Sequence, residues 1–378
     1  MSLTVLMNAG PWLPVPPRGY GGIEAVVATL VPELRRQGVR VVLATVGAST
    51  LPADGYVRTL PEGRLSQVAR PYNLVSGVAH AHMQAVVEFL RQRPGVDVVH
   101  DHLEVVGPAI LGAMGEQAPP TLQTLHWDLA KHPDFYSSFQ GHGRVTFAAV
   151  SRSQLDRAPE NLRSQTVGVV PLAVPWPEEL EVEPGPHALV LARITPDKAQ
   201  DVALRVCREA DVPLVLAGPV AGIDDPDELR HRLAAGDPSL TDHPDVEFFR
   251  SHVAPHLDGL RARWVGGVSG EAKERLLRSA RALLTPIRWA EPGATAVVEA
   301  LARGIPGVGT PLGVLPTLVQ HGVTGYLAED ETELAGWLGK LDQIDPSACR
   351  EAARQWTPSA MAARYVELYH RLLDGEPR

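Results

Sequence analysis

Short runs of β-branched residues alternate with helix-patterned stretches in this chain, and the alternation occurs twice. In the first half the apolar runs fall at residues 3–9 (LTVLMNA), 39–46, 96–100, 121–126 and 145–150, and a helix is predicted from about Gly22 to Gln37. This pattern implies a parallel sheet covered by helices. A Pro/Glu-rich stretch, Pro171 to Pro186, interrupts it, and a second series starts with residues 187–193 and 213–218 and continues with 282–287. A chain of 378 residues is too long for one ordinary core, so two similar α/β units joined by a linker are expected. Ligands of open parallel sheets bind outside the carboxyl ends of the strands, so two such units are expected to face each other across a cleft that holds the site. A last helix, about Pro358 to Leu373, carries Met361, Tyr365, Leu368 and Leu372 at helical spacing and needs an apolar surface to cover.

Composition narrows the partners. The net charge is −9 with no basic run, which argues against nucleic acid and against a polybasic membrane surface. Only Cys207 and Cys349 occur, without zinc spacing or a disulfide framework. No window approaches the roughly 18 apolar residues of a membrane span, and the N-terminus enters a strand without a basic leader. A soluble, cytoplasmic protein acting on a small molecule is expected, and nothing indicates its oligomeric state. Arginine far outnumbers lysine, so the few lysines stand out.

Three stretches carry chemistry. Gly19 to Glu24 is a glycine cluster opening a helix, where the bare amides of Gly21 and Gly22 can approach a phosphate or hydroxyl. It fails the dinucleotide fingerprint, because Glu24 stands in place of the third glycine, and a nicotinamide dehydrogenase is thereby excluded. After the strand at 187–193, Arg193 and Lys198 lie within a turn of each other, with Pro196 fixing a helix start, and both can face a diphosphate. Glu291 and Glu299 bracket a helix start after the strand at 282–287, with the turn at Pro292 and Gly293 and helix from Ala294 to Arg303. His100 and His102 share a strand face and could ligate metal, but neither a carboxylate-rich neighbourhood nor a His-Glu-x-x-His pattern accompanies them, and no metal is expected. His126, with Trp127 and Asp128 after it, ends a strand in a position suited to polar contact with substrate.

The run Glu291-Pro-Gly-Ala-Thr-Ala-Val-Val-Glu299-Ala-Leu-Ala-Arg-Gly-Ile-Pro306 resembles the Glu-x7-Glu region of the retaining GT-B glycosyltransferases called family 4. Gly21-Gly22-Ile23-Glu24 resembles that family's glycine-rich first loop, Asp97 to His102 and Thr124 to His126 resemble its acceptor-domain strand ends, and Ala149 to Ser151 resembles its later turn. Trp264 to Val268 resembles the stretch that packs on the nucleobase through backbone groups, and Gly322 to Leu327 a late turn. The resemblance implies a GT-B fold with two Rossmann-like domains and a C-terminal helix crossing back to the first. The expected boundaries are an acceptor-binding domain at 1–174, a linker at 175–186, a nucleotide-sugar domain at 187–356 and the crossover helix at 357–378. It further implies that Arg193 and Lys198 hold the diphosphate, Glu291 the sugar hydroxyls and Glu299 the ribose. Gly21, Gly22, Gly266, Val268, Gly293, Ala294 and Thr295 would complete the donor site, while His102, His126 and Trp127 would meet the acceptor, with His126 beside the reacting sugar. The family's usual Phe-Gly-Leu is here Gly293-Ala294-Thr295, which alters what lines the sugar pocket.

The activity implied is retaining transfer from a nucleotide diphosphate sugar, UDP-sugar favoured, to a small-molecule or glycan acceptor, with no cofactor and no metal. His126, Glu291, Lys198 and Arg193 would be the catalytic set, and the two halves would close over the donor. A sugar phosphorylase, a nucleotide-sugar epimerase and a non-catalytic nucleotide-sugar-binding subunit share the fold and remain alternatives.

Overall fold

The computed structural model of the chain describes residues 3–19, 21–68, 71–92, 95–177 and 185–375. Tyr20 of the glycine cluster, residues 178–184 of the predicted linker and the last three residues of the predicted crossover helix lie outside them. The chain divides into two compact units, one formed by Met1–Val174 together with Trp356–Arg378, the other by Pro175–Gln355.

In unit 1 seven strands run in parallel: β1 (Thr4–Asn8), β2 (Arg40–Thr45), β3 (Gly55–Arg58), β4 (Val98–Asp101), β5 (Thr121–Leu125), β6 (Val145–Ala149) and β7 (Thr166–Val169), in the order β3-β2-β1-β4-β5-β6-β7. β1 is the pivot, with Val5 opposite Val41 on one side and Leu6 opposite Val99 on the other. Its five residues are all buried because helices cover both faces. Val5 and Met7 join one core with the Gly22–Arg36 helix, and Leu6 joins a second with Met83 and Val86 of the Tyr72–Arg91 helix, as the two-residue period of a strand requires.

The terminal helix, Pro358–Asp374, belongs to unit 1. Thr357 caps it through Oγ1, which accepts from Ala360 N, and Pro358 occupies its first turn. Met361, Tyr365, Leu368 and Tyr369 enter the Val5–Met7 core, each fully or nearly fully buried, and a side chain of this size contributes about 1.5–3 kcal/mol when buried. The apolar surface that the helix needed is therefore one face of the first sheet.

Unit 2 repeats the plan with six parallel strands: β8 (Ala188–Leu191), β9 (Leu214–Ala217), β10 (Ala262–Trp264), β11 (Ala282–Thr285), β12 (Gly307–Gly309) and β13 (Gly325–Leu327). Their order, β10-β9-β8-β11-β12-β13, reverses direction between β8 and β11 just as the first sheet reverses between β1 and β4. Each unit thus has a topological switch point, the place where an open parallel sheet leaves a crevice for ligand. Both cysteines are buried and unpaired, as expected of a chain held by packing.

Candidate active site

At the switch point of unit 2 the loops after β8 and β11 meet. The β8 loop runs through Arg193 and Ile194 into a single 3-10 turn, Pro196–Lys198, before the Gln200–Glu209 helix. Gln200, fully buried, clasps this loop: its Nε2 donates to Arg193 O (2.8 Å), and its Oε1 accepts from Thr195 N (3.3 Å). The β11 loop is tied to the same helix by Arg288, whose two terminal nitrogens donate to the Asp201 carboxylate at 2.8 and 2.6 Å, while its amide donates to Asp197 O. A bidentate guanidinium–carboxylate pair fixes orientation as well as distance.

Between the two clamped loops, Lys198 Nζ donates to Glu291 and lies 5.1 Å from the centre of the Trp289 ring. The two charged side chains retain 19% and 15% exposure, so they are largely withdrawn from water yet reachable. Glu299, two turns from Glu291, is paired with Lys273 Nζ at 2.8 Å. Only four lysines occur in the chain, and two of them neutralise the two glutamates of the Glu-x7-Glu motif. Arg193 is exposed on the same loop as Lys198.

The helix after Glu291 spans Thr295–Ala302, one residue shorter at each end than the predicted 294–303, because Ala294 is in the left-handed conformation (φ 44°) and Arg303 ends the helix. Gly293 and Ala294 form its entry, and Thr295 is its first helical residue. Near the β10 end, the Gly266 carbonyl is already taken by Gly218 N (2.7 Å) and Gly267 N by Asp224 O (2.8 Å). The amide and carbonyl of Val268 and the amide of Gly266 have no backbone hydrogen-bond partner among the described residues, so Val268 keeps both of its backbone groups and Gly266 only its amide.

The histidines at the switch point of unit 1 are neutral. His102 follows β4 and His126 follows β5; His102 Nδ1 and His126 Nε2 are 2.7 Å apart with stacked rings. His102 Nε2 meets Met7 Sδ at 3.1 Å, and the ring is 2% exposed. Both of its nitrogens are therefore engaged, and the ring lies behind His126 instead of presenting a nitrogen to an acceptor, as the sequence reading had placed it. His126 is half-buried. His100 lies against His102, its ring tilted 37° at a centroid distance of 4.3 Å, and bonds Tyr369 OH (2.7 Å) and Thr124 Oγ1 (2.8 Å), while Tyr365 OH reaches the same threonine. Burial pushes His100 and His126 down to about 3 and His102 well below the usual imidazole range, so all three rings are neutral at physiological pH. Among the described residues no group of three or more side chains is placed to hold a metal.

On the opposite face of β4, Asp101 accepts from Asn8 Nδ2 (2.7 Å), Gln123 Nε2 (2.9 Å) and Leu103 N (3.2 Å), and burial still lifts it to about 7. Trp127 is buried, its indole N–H donating to Tyr136 OH, and it lines a small cavity of about 260 Å³ with Asp128, Gln154 and Arg157. Two polar features escaped the sequence reading: the Asp101 network, and Glu104, which lies 3.7 Å from Lys131 and 3.4 Å from His132 and whose carboxyl is lifted by burial to about 7. Their signal is a run of polar residues at the end of an apolar strand. At the glycine cluster, Gly21 has no room for a side chain, since a Cβ would fall 2.6 Å from Pro17, whereas Gly22 opens onto free space at the first turn of its helix.

Two parallel sheets of the same strand order, each with polar groups gathered at its switch point, are the GT-B arrangement. The family profile described as glycosyl transferases group 1 matches residues 176–356, and that of glycosyltransferase family 4 matches residues 20–162. The chain belongs to this family and is a glycosyltransferase. AviGT4, a glycosyltransferase involved in avilamycin A biosynthesis, is 27% identical, with 99% of each chain covered and a TM-score of 0.67. Sucrose-phosphate synthase from Thermosynechococcus elongatus (16%, TM-score 0.68, 99% of this chain and 100% of that one) shares the fold. So does Anabaena HepE, seen with UDP and glucose (15%, TM-score 0.62, 97% and 99%). No curated protein matches the sequence. No helix among the described residues is long and apolar enough to cross a membrane.

Proposed function

We propose that the chain transfers a sugar from a nucleoside diphosphate sugar to a small-molecule or glycan acceptor, with retention of configuration and without a divalent metal. The observation that carries this reading is the Lys198–Glu291 pair, clamped between the loops of β8 and β11 and backed by Trp289. In the free protein the ammonium is neutralised by a carboxylate. An entering diphosphate competes for that ammonium, which releases Glu291 to accept hydroxyls of the sugar. Arg193 adds a second cation from the same loop, and the amides at the start of the Thr295–Ala302 helix add partial positive charge. Charge developing on the leaving diphosphate is then met by groups already in place, which is where such a site gains most of its rate. Lys273–Glu299 holds the second carboxylate for the ribose, and the open Val268 backbone supports a base site. Uridine is favoured by the binding of UDP in HepE, which shares the fold.

Retention follows from same-face attack. Glu291, once released from Lys198, is engaged by the sugar hydroxyls, and Glu299 stays paired with Lys273 for the ribose, so neither carboxylate is assigned as the nucleophile of a double displacement. The leaving diphosphate itself accepts the proton of the incoming hydroxyl, and no glycosyl-enzyme accumulates.

The test is a thermal-shift panel of UDP-, GDP-, ADP- and TDP-sugars, followed by proton NMR of the first product made with the best donor, with and without chelator. A raised melting temperature for one donor, a product with the donor's anomeric configuration and turnover indifferent to chelator are expected. An inverted product, or a strict need for manganese or magnesium, overturns the mechanism. Sugar 1-phosphate formed from a glycoside and added inorganic phosphate, with no transfer from any nucleoside diphosphate sugar, identifies a phosphorylase.

A further inference from the structure

The hydrogen-bond chain behind His126 has a direction. A thioether sulfur has lone pairs and no proton, so it can accept a hydrogen bond and never donate one. His102 Nε2 lies 3.1 Å from Met7 Sδ and must therefore carry the ring's proton, since otherwise two lone pairs would face each other inside the core. A neutral imidazole has one N–H, so His102 Nδ1 is an acceptor. Its neighbour at 2.7 Å, His126 Nε2, must then be the donor, and the second nitrogen of His126 is left with a lone pair. That nitrogen, Nδ1, makes no hydrogen bond to the described residues, and His126 is only half-buried, so Nδ1 is the ring nitrogen left for a ligand.

We propose that Met7 and His102 are positioning residues that hold His126 as its Nε2–H tautomer, so that His126 offers substrate a hydrogen-bond acceptor at Nδ1. The group that meets His126 is then a hydroxyl or an amine, and a carbonyl or carboxylate is disfavoured there. The stack continues away from substrate through His100, whose nitrogens are taken by Tyr369 and Thr124, so His100 cannot supply His102 with an alternative partner. Burial supports the scheme by keeping His126 and His100 uncharged. The proposal rests on the transferase reading only for the statement that substrate reaches His126; the tautomer is a property of the ligand-free protein.

The experiment is two-bond 1H–15N correlation of the histidine rings in the full chain, labelled with 15N-histidine, with His126 assigned by loss of its signals in His126→Gln. Wild type should show His126 as a single neutral ring protonated at Nε2. In His102→Phe the acceptor is gone and His126 should shift to the Nδ1–H form or to a mixture. In His102→Gln an amide oxygen can take the same proton and Nε2–H should return. Met7→Leu, a volume-conserving change that the core tolerates, should let the His102 signals average between tautomers. His126 protonated at Nδ1 in wild type, or unchanged in His102→Phe, overturns the proposal; if the Phe variant does not fold, the Gln and Leu variants decide it. Absence of sugar transfer with a normal Nε2–H signal would sink the transferase reading and leave this one standing.

Discussion

The two switch points share a strand order and differ in how they treat charge. In unit 2 the crevice holds paired ions: Lys198 with Glu291, Lys273 with Glu299 and Arg288 with Asp201. In unit 1 the same crevice holds imidazoles that burial keeps neutral, backed by two tyrosines and a thioether. Burying an ion is costly unless a partner comes with it, whereas a neutral histidine needs only its two hydrogen bonds. One fold can therefore present a site that exchanges internal ion pairs for an anionic ligand and another that only donates and accepts protons in hydrogen bonds.

The sharpest way to break the comparison is to remove one charge and one ring. Lys198→Ala should lower kcat/KM by about 10²–10³-fold and weaken a nucleoside diphosphate far more than the corresponding nucleoside. His126→Ala should reduce turnover by about 10²-fold while leaving nucleoside diphosphate affinity nearly unchanged. Calorimetry with UDP and uridine, beside steady-state kinetics, separates the two, and equal losses of UDP affinity in both variants would end the distinction between a charged and a neutral crevice.

A second contrast lies at the helix starts. Gly21→Ala drives a methyl into Pro17 and should cost about 1–3 kcal/mol in a urea titration. Gly22→Ala meets open space, so stability should stay within about 0.5 kcal/mol; a loss of turnover there reports close approach of substrate to that amide.

The neutrality of unit 1 can be read through pH. His100 sits at about 3 when folded against about 6.5 unfolded, so below pH 6.5 the unfolded chain binds a proton that the folded one refuses. Wild type should therefore lose about 1.4 kcal/mol per pH unit relative to His100→Gln as pH falls from 6.5 to 5. Asp101 sits at about 7 against about 3.9 unfolded, so its penalty is greatest above pH 7 and fades as pH falls. Wild type relative to Asp101→Asn should accordingly gain about the same amount per unit over that range. Slopes of equal sign in the two variants would mean that burial is not what sets these groups.

The smallest expected effect belongs to unit 2. Ala294 holds a left-handed backbone where the family's pattern has glycine, and Ala294→Gly should stabilise by at most about 1 kcal/mol in the same titration.

The longer strands were legible because β-branched residues mark them, as in β1, β2, β5 and β6. β3, β7, β10, β12 and β13 were not read as strands. They have three or four residues, several include glycine, and they exist because a neighbouring strand offers them hydrogen bonds, as β11 does to Gly307 and Gly309. Lys198, Glu291 and Glu299 could be chosen from sequence as site residues, but not as ion-paired, since 93 residues separate Lys198 from Glu291. Lys273 stood out only as one of few lysines, and Trp289 and Gln200 not at all, because their roles come from elements that meet only in the folded sheet. His102 was legible as a strand-end histidine, but its orientation toward Met7 follows from the pleat of two paired strands.

Unit 1 is interrupted in the chain: Tyr365 and Tyr369, which cover the β4–β5 face, come after all of Pro175–Gln355. During synthesis at about 5–20 residues per second, roughly 10–40 s pass between the emergence of the first sheet and that of its covering helix. Unit 2, continuous in sequence, has every part it needs within that interval. Until that helix arrives, the earlier half lacks the cover for one apolar face of its sheet, while the later half lacks nothing of its own core.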